Sequence, residues 1–245
     1  MAVIIIPARK GSTRLKNKLL LQVKGKPVIY WTAENASKVK NVDKVIVATD
    51  SKEIADFFKN EKKIEAVLTP SDLKSGSDRV AYVAKELNEE KIINVQGDEP
   101  LLNPEDIEKV VKGLDEAPVT TLSFPIENEE DYLNPNVVKV VLDSENYALY
   151  FSRSPIPFYR DIDFSQMIKE FHKPVQKHIG VYGYRKEVLM DFAYRLEPSP
   201  LEEIEKLEQL RLLYNGYKIK VFEASKDTLG IDTKEDFEKF CKIFQ

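Results

Sequence analysis

The chain has 245 residues, of which 42% are hydrophobic and 32% charged, a composition typical of a globular protein rather than a disordered or fibrous one. The net charge of -4 argues against a protein that coats nucleic acid, and no apolar run approaches the roughly 18 residues of a membrane span. The single cysteine, Cys241, excludes an internal disulfide framework and fits a reducing compartment, so we expect a cytoplasmic protein.

The first half of the chain alternates short apolar runs with amphipathic stretches. Continuous apolar runs are typical of strands buried on both faces, and their alternation with helices indicates parallel βαβ units. The predicted fold class is therefore α/β, with a doubly wound, mostly parallel sheet of the Rossmann-like type. Strands are predicted at residues 2–6, 44–49, 65–68 and 91–95, and helices at 27–39, 51–59, 78–88 and from a cap at Asn103 to about Leu114.

Beyond Val119 the pattern changes. Two β-rich runs, 137–142 and 147–152, are separated by four turn-forming residues and predict a hairpin. Residues 153–177 contain several prolines and no clear period, so we expect an irregular excursion. We interpret residues 1–245 as one α/β domain with an antiparallel β insertion. The remaining predicted elements are strands at 178–184 and 218–223 and helices at 200–214 and 233–244.

A concentration of positive charge follows the first predicted strand. Five cations stand within residues 9–18, around Gly11 and Ser12. Ligands of open α/β sheets bind at the carboxyl ends of the strands, and backbone amides beside a glycine can form an anion-binding concavity. Because five cations on a solvated loop repel one another, we interpret the loop as a polyphosphate site held by Arg9, Arg14 and Lys18. It is neither a P-loop nor a dinucleotide fingerprint.

Two acidic motifs contain candidate metal ligands. Asp98, within residues 96–100 (QGDEP), directly follows a predicted strand and would lie at the same sheet edge as the basic loop. Mg²⁺ prefers a few carboxylates together with phosphate oxygens. Because Asn103 already supplies a cap for the next helix, we favour the metal role for Asp98. For Asp232, within residues 229–233 (LGIDT), the residues alone support metal binding and helix capping equally.

Together these motifs resemble the 3-deoxy-manno-octulosonate (Kdo) cytidylyltransferase family. The stretch from Ile6 to Leu15, followed by Lys18, matches the family sequence I-P-A-R-x-x-S-T-R-L and its later lysine. The similarity covers nearly the whole chain and is weakest over residues 153–177. Other matching segments are QGDEP at 96–100, GIDT at 230–233, KSGSDR at 74–79 (with Ser77 for Thr and Asp78 for Glu), residues 136–142, YALYFSR at 147–153, HIGVYGYR at 178–185 and PSPLE…LEQLR at 198–211.

The resemblance implies the residues of the site. The catalytic residues would be Arg9, Lys18, Asp98 and Asp232, the two aspartates jointly binding the Mg²⁺ cofactor. The sugar acid would be bound by Arg153, His178, Tyr182, Glu208 and Gln209. The nucleotide would be bound by Pro7, Ala8, Arg9, Gly11, Ser12, Arg14, Lys18, Ser75, Gly76, Ser77 and Gln96.

Simpler interpretations stand beside several of these assignments. The 74–79 segment also fits a loop with a helix N-cap, Arg153 a surface ion pair, and Glu208 a solvated helix face. A lone histidine such as His178 is more often structural than catalytic. No family motif includes His172, which we interpret as a surface residue. Two histidines are too sparse for a histidine-based zinc site.

The resemblance also implies the activity and the partners. CTP and Kdo would give CMP-Kdo and pyrophosphate, for lipopolysaccharide biosynthesis, on a nucleotidyltransferase fold. Residues 125–185 would be an insertion for substrate binding or dimerisation, the chain a homodimer, and neither nucleic acid nor membrane a partner. Rival functions are a nucleotidyltransferase for sialic acid or a hexose 1-phosphate, and a non-catalytic nucleotide sensor, against which the two intact acidic motifs argue.

Overall fold

The computed structural model describes residues 1–11, 15–171 and 175–243, and the elements in them alternate as the α/β class requires. The strands are β1 (Ala2–Ala8), β2 (Gln22–Val23), β3 (Lys26–Pro27), β4 (Lys44–Thr49), β5 (Ile64–Leu68), β6 (Lys91–Val95), β7 (Val119–Pro125), β8 (Lys139–Leu142), β9 (Ala148–Ser152), β10 (Gln176–Arg185) and β11 (Ile219–Glu223). The helices are α1 (Val28–Ala36), α2 (Lys52–Asp56), α3 (Gly76–Ala84), α4 (Pro104–Gly113), α5 (Glu129–Leu133), α6 (Phe164–Glu170), α7 (Lys186–Tyr194), α8 (Pro200–Glu205), α9 (Gln209–Tyr214) and α10 (Lys234–Lys242).

The main sheet has the strand order β11-β7-β10-β6-β1-β4-β5. β1 pairs in parallel with β4 and β6, β4 with β5, and β11 with β7, whereas β10 is antiparallel to both of its neighbours. The predicted hairpin is confirmed as β8 and β9, which extend from β10. From β1 the chain winds outward to β4 and β5 and then returns to β6 on the other side. This reversal beside β1 is a topological switch point, where α/β sheets bind ligands.

The core is divided between the two faces of the sheet. Successive side chains of β1 point to opposite faces of the sheet, and helices cover both faces. β1 is therefore buried along its whole length. Ile4 and Ile6 pack with residues of α1 and α4, while Val3 and Ile5 pack with residues of α3 and α7. This two-sided burial is the reason that the continuous apolar runs predicted the doubly wound sheet correctly.

Several elements were missed or wrongly bounded. β7 was not predicted because its interior carries Thr120, Thr121 and Ser123, which are buried and hydrogen-bonded rather than apolar. The helix predicted at 200–214 is two helices, α8 and α9, because Lys206 adopts a left-handed conformation with φ 54°. α7 was also missed, since it begins immediately after β10 with no turn residue between them.

Residues 126–175 have a small core of their own. It is formed by Ile126, Tyr132, Phe164, Met167 and Val175. The stretch predicted to be irregular contains α6, with a capping box in which Asp163 and Gln166 satisfy each other's backbone amides. β10, at the end of the predicted insertion, is an interior strand of the main sheet and joins this small core to it. Among the described residues, no helix has the length and apolar character needed to cross a membrane.

Candidate active site

A cavity of about 310 Å³ opens at the switch point, between the loops that follow β1 and β6. It contains many of the predicted site residues, from both halves of the sequence. Its lining comprises Pro7, Arg9, Gly11, Leu15, Lys18, Leu19, Leu73, Lys74, Ser75, Gly76, Arg79, Gln96, Gly97, Asp98, Glu208 and Asp232. A larger groove of about 770 Å³ runs along β5 and α2 and contains none of the predicted site residues.

Lys18 joins the two predicted metal ligands. Its Nζ donates a hydrogen bond to Asp98 Oδ2 and another, 2.8 Å long, to Asp232 Oδ1. Burial lowers the pKa of Lys18, but the negative charges of Asp98 and Asp232 outweigh this effect and the pKa is raised. One ammonium group therefore lies between two carboxylates that are distant in the sequence.

The loops that carry the two aspartates are fixed to each other and to β1. The backbone amide of Ile231 donates to the carbonyl oxygen of Asp98 at 2.9 Å. A Cβ on Gly97 would lie 3.1 Å from the Pro7 carbonyl oxygen, so a side chain there would push the loop after β6 slightly away from the end of β1. The two acidic motifs and the basic loop thus converge by backbone packing.

Helix capping does not explain either aspartate. The N-cap of α4 is Asn103, as predicted, and its side chain accepts from the Glu105 amide. The N-cap of α10 is Thr233, which forms a capping box with Asp236. The capping interpretation that was left open for Asp232 is therefore wrong, and its carboxylate contacts Lys18 instead.

Glu99 is a third acidic group at the site, and the sequence analysis did not single it out. Its Oε2 is buried and has no hydrogen-bond partner in the described ranges 1–11, 15–171 and 175–243. Burial, with the nearby charges of Asp98 and Asp232, raises the pKa of Glu99 to about 8, so that the carboxyl group is protonated at neutral pH. Its position next to Asp98 in QGDEP was the signal available in the sequence.

The described part of the basic loop lies at the cavity as predicted. Pro7, Arg9 and Gly11 line it, whereas the side chain of Ala8 is buried in β1. The backbone amide of Lys10 donates to Asp50 Oδ1 at 3.0 Å. The predicted nucleotide-binding residues Ser12 and Arg14 lie outside the described residues.

The 75–77 segment begins α3 and reaches the cavity. Ser75 is the N-cap of α3 and forms a capping box with Asp78, so the capping interpretation is correct for its side chain. Ser75 and Gly76 also line the cavity, next to Gln96, whereas Ser77 is buried behind them. The N-terminus of α3 thus lies at a site that is predicted to bind an anion, and helix N-termini favour anions.

The predicted sugar-binding residues of β10 lie beside the cavity but do not line it. The Nε2 of His178 is 3.1 Å from Thr121 Oγ1, and its ring centroid is 5.2 Å from that of Tyr182. Burial lowers the pKa of His178 to about 3, so its ring is neutral at pH 7. The hydroxyl of Tyr182 is buried and lacks a hydrogen-bond partner within the described ranges.

Glu208 and Gln209, at the start of α9, have different surroundings. Glu208 is half-buried and lines the cavity, and burial raises its pKa, an effect that a hydrogen bond from Ser77 opposes. The solvated helix face left open for Glu208 is therefore wrong. Gln209 is buried and does not line the cavity.

Arg153 follows β9 and also lies outside the cavity lining. Its Nε donates to the Glu205 carbonyl oxygen at 2.8 Å, and Nη1 to the Pro135 carbonyl oxygen at 3.0 Å. Backbone carbonyls, rather than a carboxylate, hold its guanidinium group, so the surface ion pair that was left open does not form in the described residues. The assignments of all these residues to nucleotide and sugar remain predictions.

Comparison with known proteins places the chain in a family. The family model described as "Cytidylyltransferase" matches residues 3–219. A 3-deoxy-manno-octulosonate cytidylyltransferase of Chlorobium phaeobacteroides is 44% identical, over 99% of this chain and 96% of its own length. The enzyme of the same name from Francisella tularensis subsp. tularensis is 46% identical, over 98% of this chain and 97% of its own length.

Solved structures agree with the sequence comparison. The structure of CMP:2-keto-3-deoxy-manno-octonic acid synthetase complexed with CTP superposes with a TM-score of 0.89 and 38% identity, covering 99% of this chain and 98% of that one. A 4-diphosphocytidyl-2C-methyl-D-erythritol synthase from Anaerococcus prevotii has a TM-score of 0.64 at 16% identity, and so shares the fold alone. With the predicted motifs at one sheet edge and near full-length identity above 40%, the chain belongs to the 3-deoxy-manno-octulosonate cytidylyltransferase family.

Proposed function

We propose that this protein transfers CMP from CTP to the anomeric hydroxyl of Kdo, giving CMP-Kdo and pyrophosphate for lipopolysaccharide biosynthesis. The observation that carries the proposal is the contact of Lys18 with Asp98 and Asp232 at the switch point. The contact brings one cation and two carboxylates into one cavity, which supports a phosphate-binding role for the cation and a metal-binding role for the carboxylates. The family relationship supplies the substrates.

The acidic residues fit a Mg²⁺ cofactor that is bound together with the nucleotide. Asp98 and Asp232 already hold one cation, the Lys18 ammonium, between them. Among the described residues no group of three or more histidine, cysteine, aspartate or glutamate side chains could by itself hold a metal ion. Two carboxylates completed by triphosphate oxygens are the usual ligand set for Mg²⁺. Bound there, the ion would offset the negative charge of the phosphates during the reaction.

The reaction requires positioning and charge neutralisation rather than a covalent nucleophile. The anomeric oxygen attacks the α-phosphorus and loses its proton to water, while the bond from the α-phosphorus to the bridging oxygen breaks and pyrophosphate leaves. Arg9, Arg14 and Lys18 would hold the triphosphate and the charge that develops on it. Pro7, Ala8, Gly11, Ser12, Ser75, Gly76, Ser77 and Gln96 would bind the rest of the nucleotide.

The sugar acid would lie on the β10 side of the cavity. A Cβ on Gly180 would lie 3.8 Å from Cγ of Gln96, so the predicted sugar-binding strand abuts the nucleotide-binding segment. Because the pKa of His178 is about 3, the ring is a poor general base at neutral pH, and we assign it an orienting hydrogen bond. Arg153 would contact the carboxylate, and Tyr182, Glu208 and Gln209 the hydroxyls.

We further propose a homodimer that works in the cytoplasm. The 125–185 segment carries large apolar side chains that are exposed in the single chain, including Leu149 at 60% and Phe158 at 83%. Such surface is a candidate interface between two copies. Residues 1–245 would then form one domain with 125–185 as its substrate-binding and dimerisation insertion. A lone half-buried thiol and a nucleotide substrate fit the cytoplasm.

Pyrophosphate release tests the proposal. Protein, CTP and Mg²⁺ should release pyrophosphate only when Kdo is added, and CMP-Kdo should form in equal amount. UTP and dTTP in place of CTP, and sialic acid or a hexose 1-phosphate in place of Kdo, should support little turnover. Preference for one of those alternatives would replace the proposed substrates, and CTP binding without any turnover would favour a nucleotide sensor. Light scattering at assay concentration measures the dimer.

A further inference from the structure

Arg79 is a buried cation that the proposed mechanism does not use. It lies in α3, four residues after the N-cap Ser75, and its side chain is 3% exposed. Its guanidinium group donates to Thr69 Oγ1 and, at 3.1 Å, to the Pro70 carbonyl oxygen, both in the loop after β5. Its Nη2 lies 3.4 Å from Asp50 Oδ2, in the loop after β4. One guanidinium group thus ties two loops at the carboxyl edge of the sheet to α3.

Asp50 extends this connection to the basic loop. Its side chain is 14% exposed, and its two oxygens have different partners. Oδ2 faces Arg79, while Oδ1 accepts the backbone amide hydrogen of Lys10 at 3.0 Å. Lys10 stands between Arg9 and Gly11, and both of these line the cavity. Because a carboxylate that is paired on one side has its orientation fixed, Arg79 determines where Asp50 holds the Lys10 amide.

We infer that Asp50 and Arg79 form a positioning pair that holds the start of the basic loop in the conformation that binds the triphosphate. Neither residue needs to touch the nucleotide. Their effect passes through the Lys10 amide to Arg9 and Gly11. The inference rests on the proposed function only in taking CTP as the nucleotide.

The side chain of Lys10 makes a second contact, which differs from the contact of its backbone amide. The Nζ of Lys10 forms an ion pair with Glu53 at 2.9 Å, but both side chains are more than half exposed. Exposed pairs contribute little because water and salt screen them. The bond from the Lys10 amide is also near solvent, but its acceptor Asp50 is only 14% exposed and faces the buried Arg79. This bond, rather than the one from the Lys10 side chain, should therefore determine the loop conformation.

The test is the affinity for CTP, measured by calorimetry in the presence of Mg²⁺. Asp50→Ala should raise the Kd for CTP by about tenfold, the effect of one hydrogen bond to a charged group. Asp50→Asn keeps the side-chain volume and one acceptor oxygen, so it should raise the Kd by a smaller factor. KM for Kdo should stay within about twofold of wild type in both variants, because the β10 side of the cavity is untouched.

Two controls match the bonds that are removed. Asp43→Ala deletes another carboxylate that accepts a backbone amide hydrogen, here from Ala2 at 2.9 Å, but at the opposite end of β1 from the basic loop. Glu53→Ala deletes the exposed ion pair of Lys10. Both should bind CTP as wild type does. Thermal unfolding of all variants is measured in parallel, since a merely structural role would lower Tm while leaving the Kd of the folded protein unchanged.

The outcomes separate this inference from the proposed function. If folded Asp50→Ala and Asp50→Asn bind CTP within twofold of the controls, the positioning role is overturned. An equal rise in KM for both substrates also overturns it, because that result indicates general loosening. If Asp50→Ala does not fold, Asp50→Asn carries the test. A wild-type protein that binds CTP but forms no CMP-Kdo refutes the proposed function alone, and the order of the Kd values still decides the inference.

Discussion

The Nζ of Lys18 lies 2.8 Å from Asp232 Oδ1 and also donates to Asp98 Oδ2. A cation from the chain itself thus stands between the carboxylates that we assign to Mg²⁺. Triphosphate offers Lys18 an alternative set of anionic oxygens. Ammonium and metal ion compete for the same carboxylates unless the nucleotide draws the ammonium away.

Lys18→Met should therefore strengthen metal binding in the absence of nucleotide and weaken binding of CTP. Removing the ammonium leaves Asp98 and Asp232 repelling each other, which favours a divalent ion between them. Titration with Mn²⁺, followed by electron paramagnetic resonance, measures the first effect, and calorimetry with CTP the second. The control is Lys16→Met, an exposed cation of the same loop. Equal Mn²⁺ affinity in wild type and Lys18→Met would show that the lysine does not occupy the metal position.

Asp98→Asn should leave the fold intact and remove most turnover. The Asp98 side chain is 24% exposed and its substitution keeps size and shape, so we expect a change in Tm of no more than a few degrees. The neutral amide is a poor ligand for Mg²⁺, and the pyrophosphate-release rate should fall by about a hundredfold or more. Asp115→Asn, at an exposed ion pair with Lys91, is the matched control. A near-normal rate in Asp98→Asn would refute the metal role.

The sequence predicted that the acidic motif at 96–100 would lie beside the basic loop, because the two follow strands with clear apolar patterns. β1 and β6 are continuous apolar runs, and their carboxyl ends meet at one sheet edge. It could not settle Asp232, since the residue before a helix often caps it. Only the structure shows that Thr233 is the cap and that Asp232 contacts Lys18.

What the sequence could not give were contacts between loops and the burial of polar groups. The pairing of Asp50 with Arg79 joins residues that are 29 positions apart and has no periodic signal. The missed strand β7 has the same cause, because the hydroxyls of Thr120 and Thr121 donate to backbone carbonyls of α4 and β10 that only the folded protein brings near. The hydrophobic pattern of the sequence predicts the strands and helices, whereas the buried hydrogen bonds can be identified only in the three-dimensional structure.

The low pKa of His178 predicts an acid-sensitive component of stability. The folded protein holds the ring neutral down to about pH 3, whereas the unfolded chain takes up a proton below about pH 6.5. The unfolded state then binds more protons, so stability falls as pH falls through this window, by about 1.4 kcal/mol per pH unit below pH 6. Urea unfolding at pH 6, 5 and 4 should show a shallower decline for His178→Gln. Tyr182→Phe, on the same strand, removes no group that titrates there and should keep the wild-type slope; equal slopes in all three proteins would contradict the buried neutral ring.

Lys139 is a buried cation that holds three backbone carbonyls together. Its side chain is fully buried, burial lowers its pKa, and Nζ donates to the carbonyl oxygens of Asn134, Val137 and Arg153 at 2.9, 2.6 and 2.8 Å. Lys139→Met removes this donor from three partly buried carbonyls, of which that of Asn134 keeps another donor, the Val137 amide at 3.1 Å. The free energy of unfolding should therefore fall by about 2 kcal/mol.

The same change should act on the sugar site, because one of those carbonyls belongs to Arg153. Loosening Arg153 should raise KM for Kdo while leaving KM for CTP within about twofold of wild type. Lys220→Met is the control, since its Nζ also donates to a backbone carbonyl, that of Glu145 at 2.5 Å, but at the exposed surface. That variant should lose less than about 0.5 kcal/mol in urea unfolding. A Lys139→Met protein as stable as the control would show that the three carbonyls find other partners, and an unchanged KM for Kdo would separate Arg153 from the sugar.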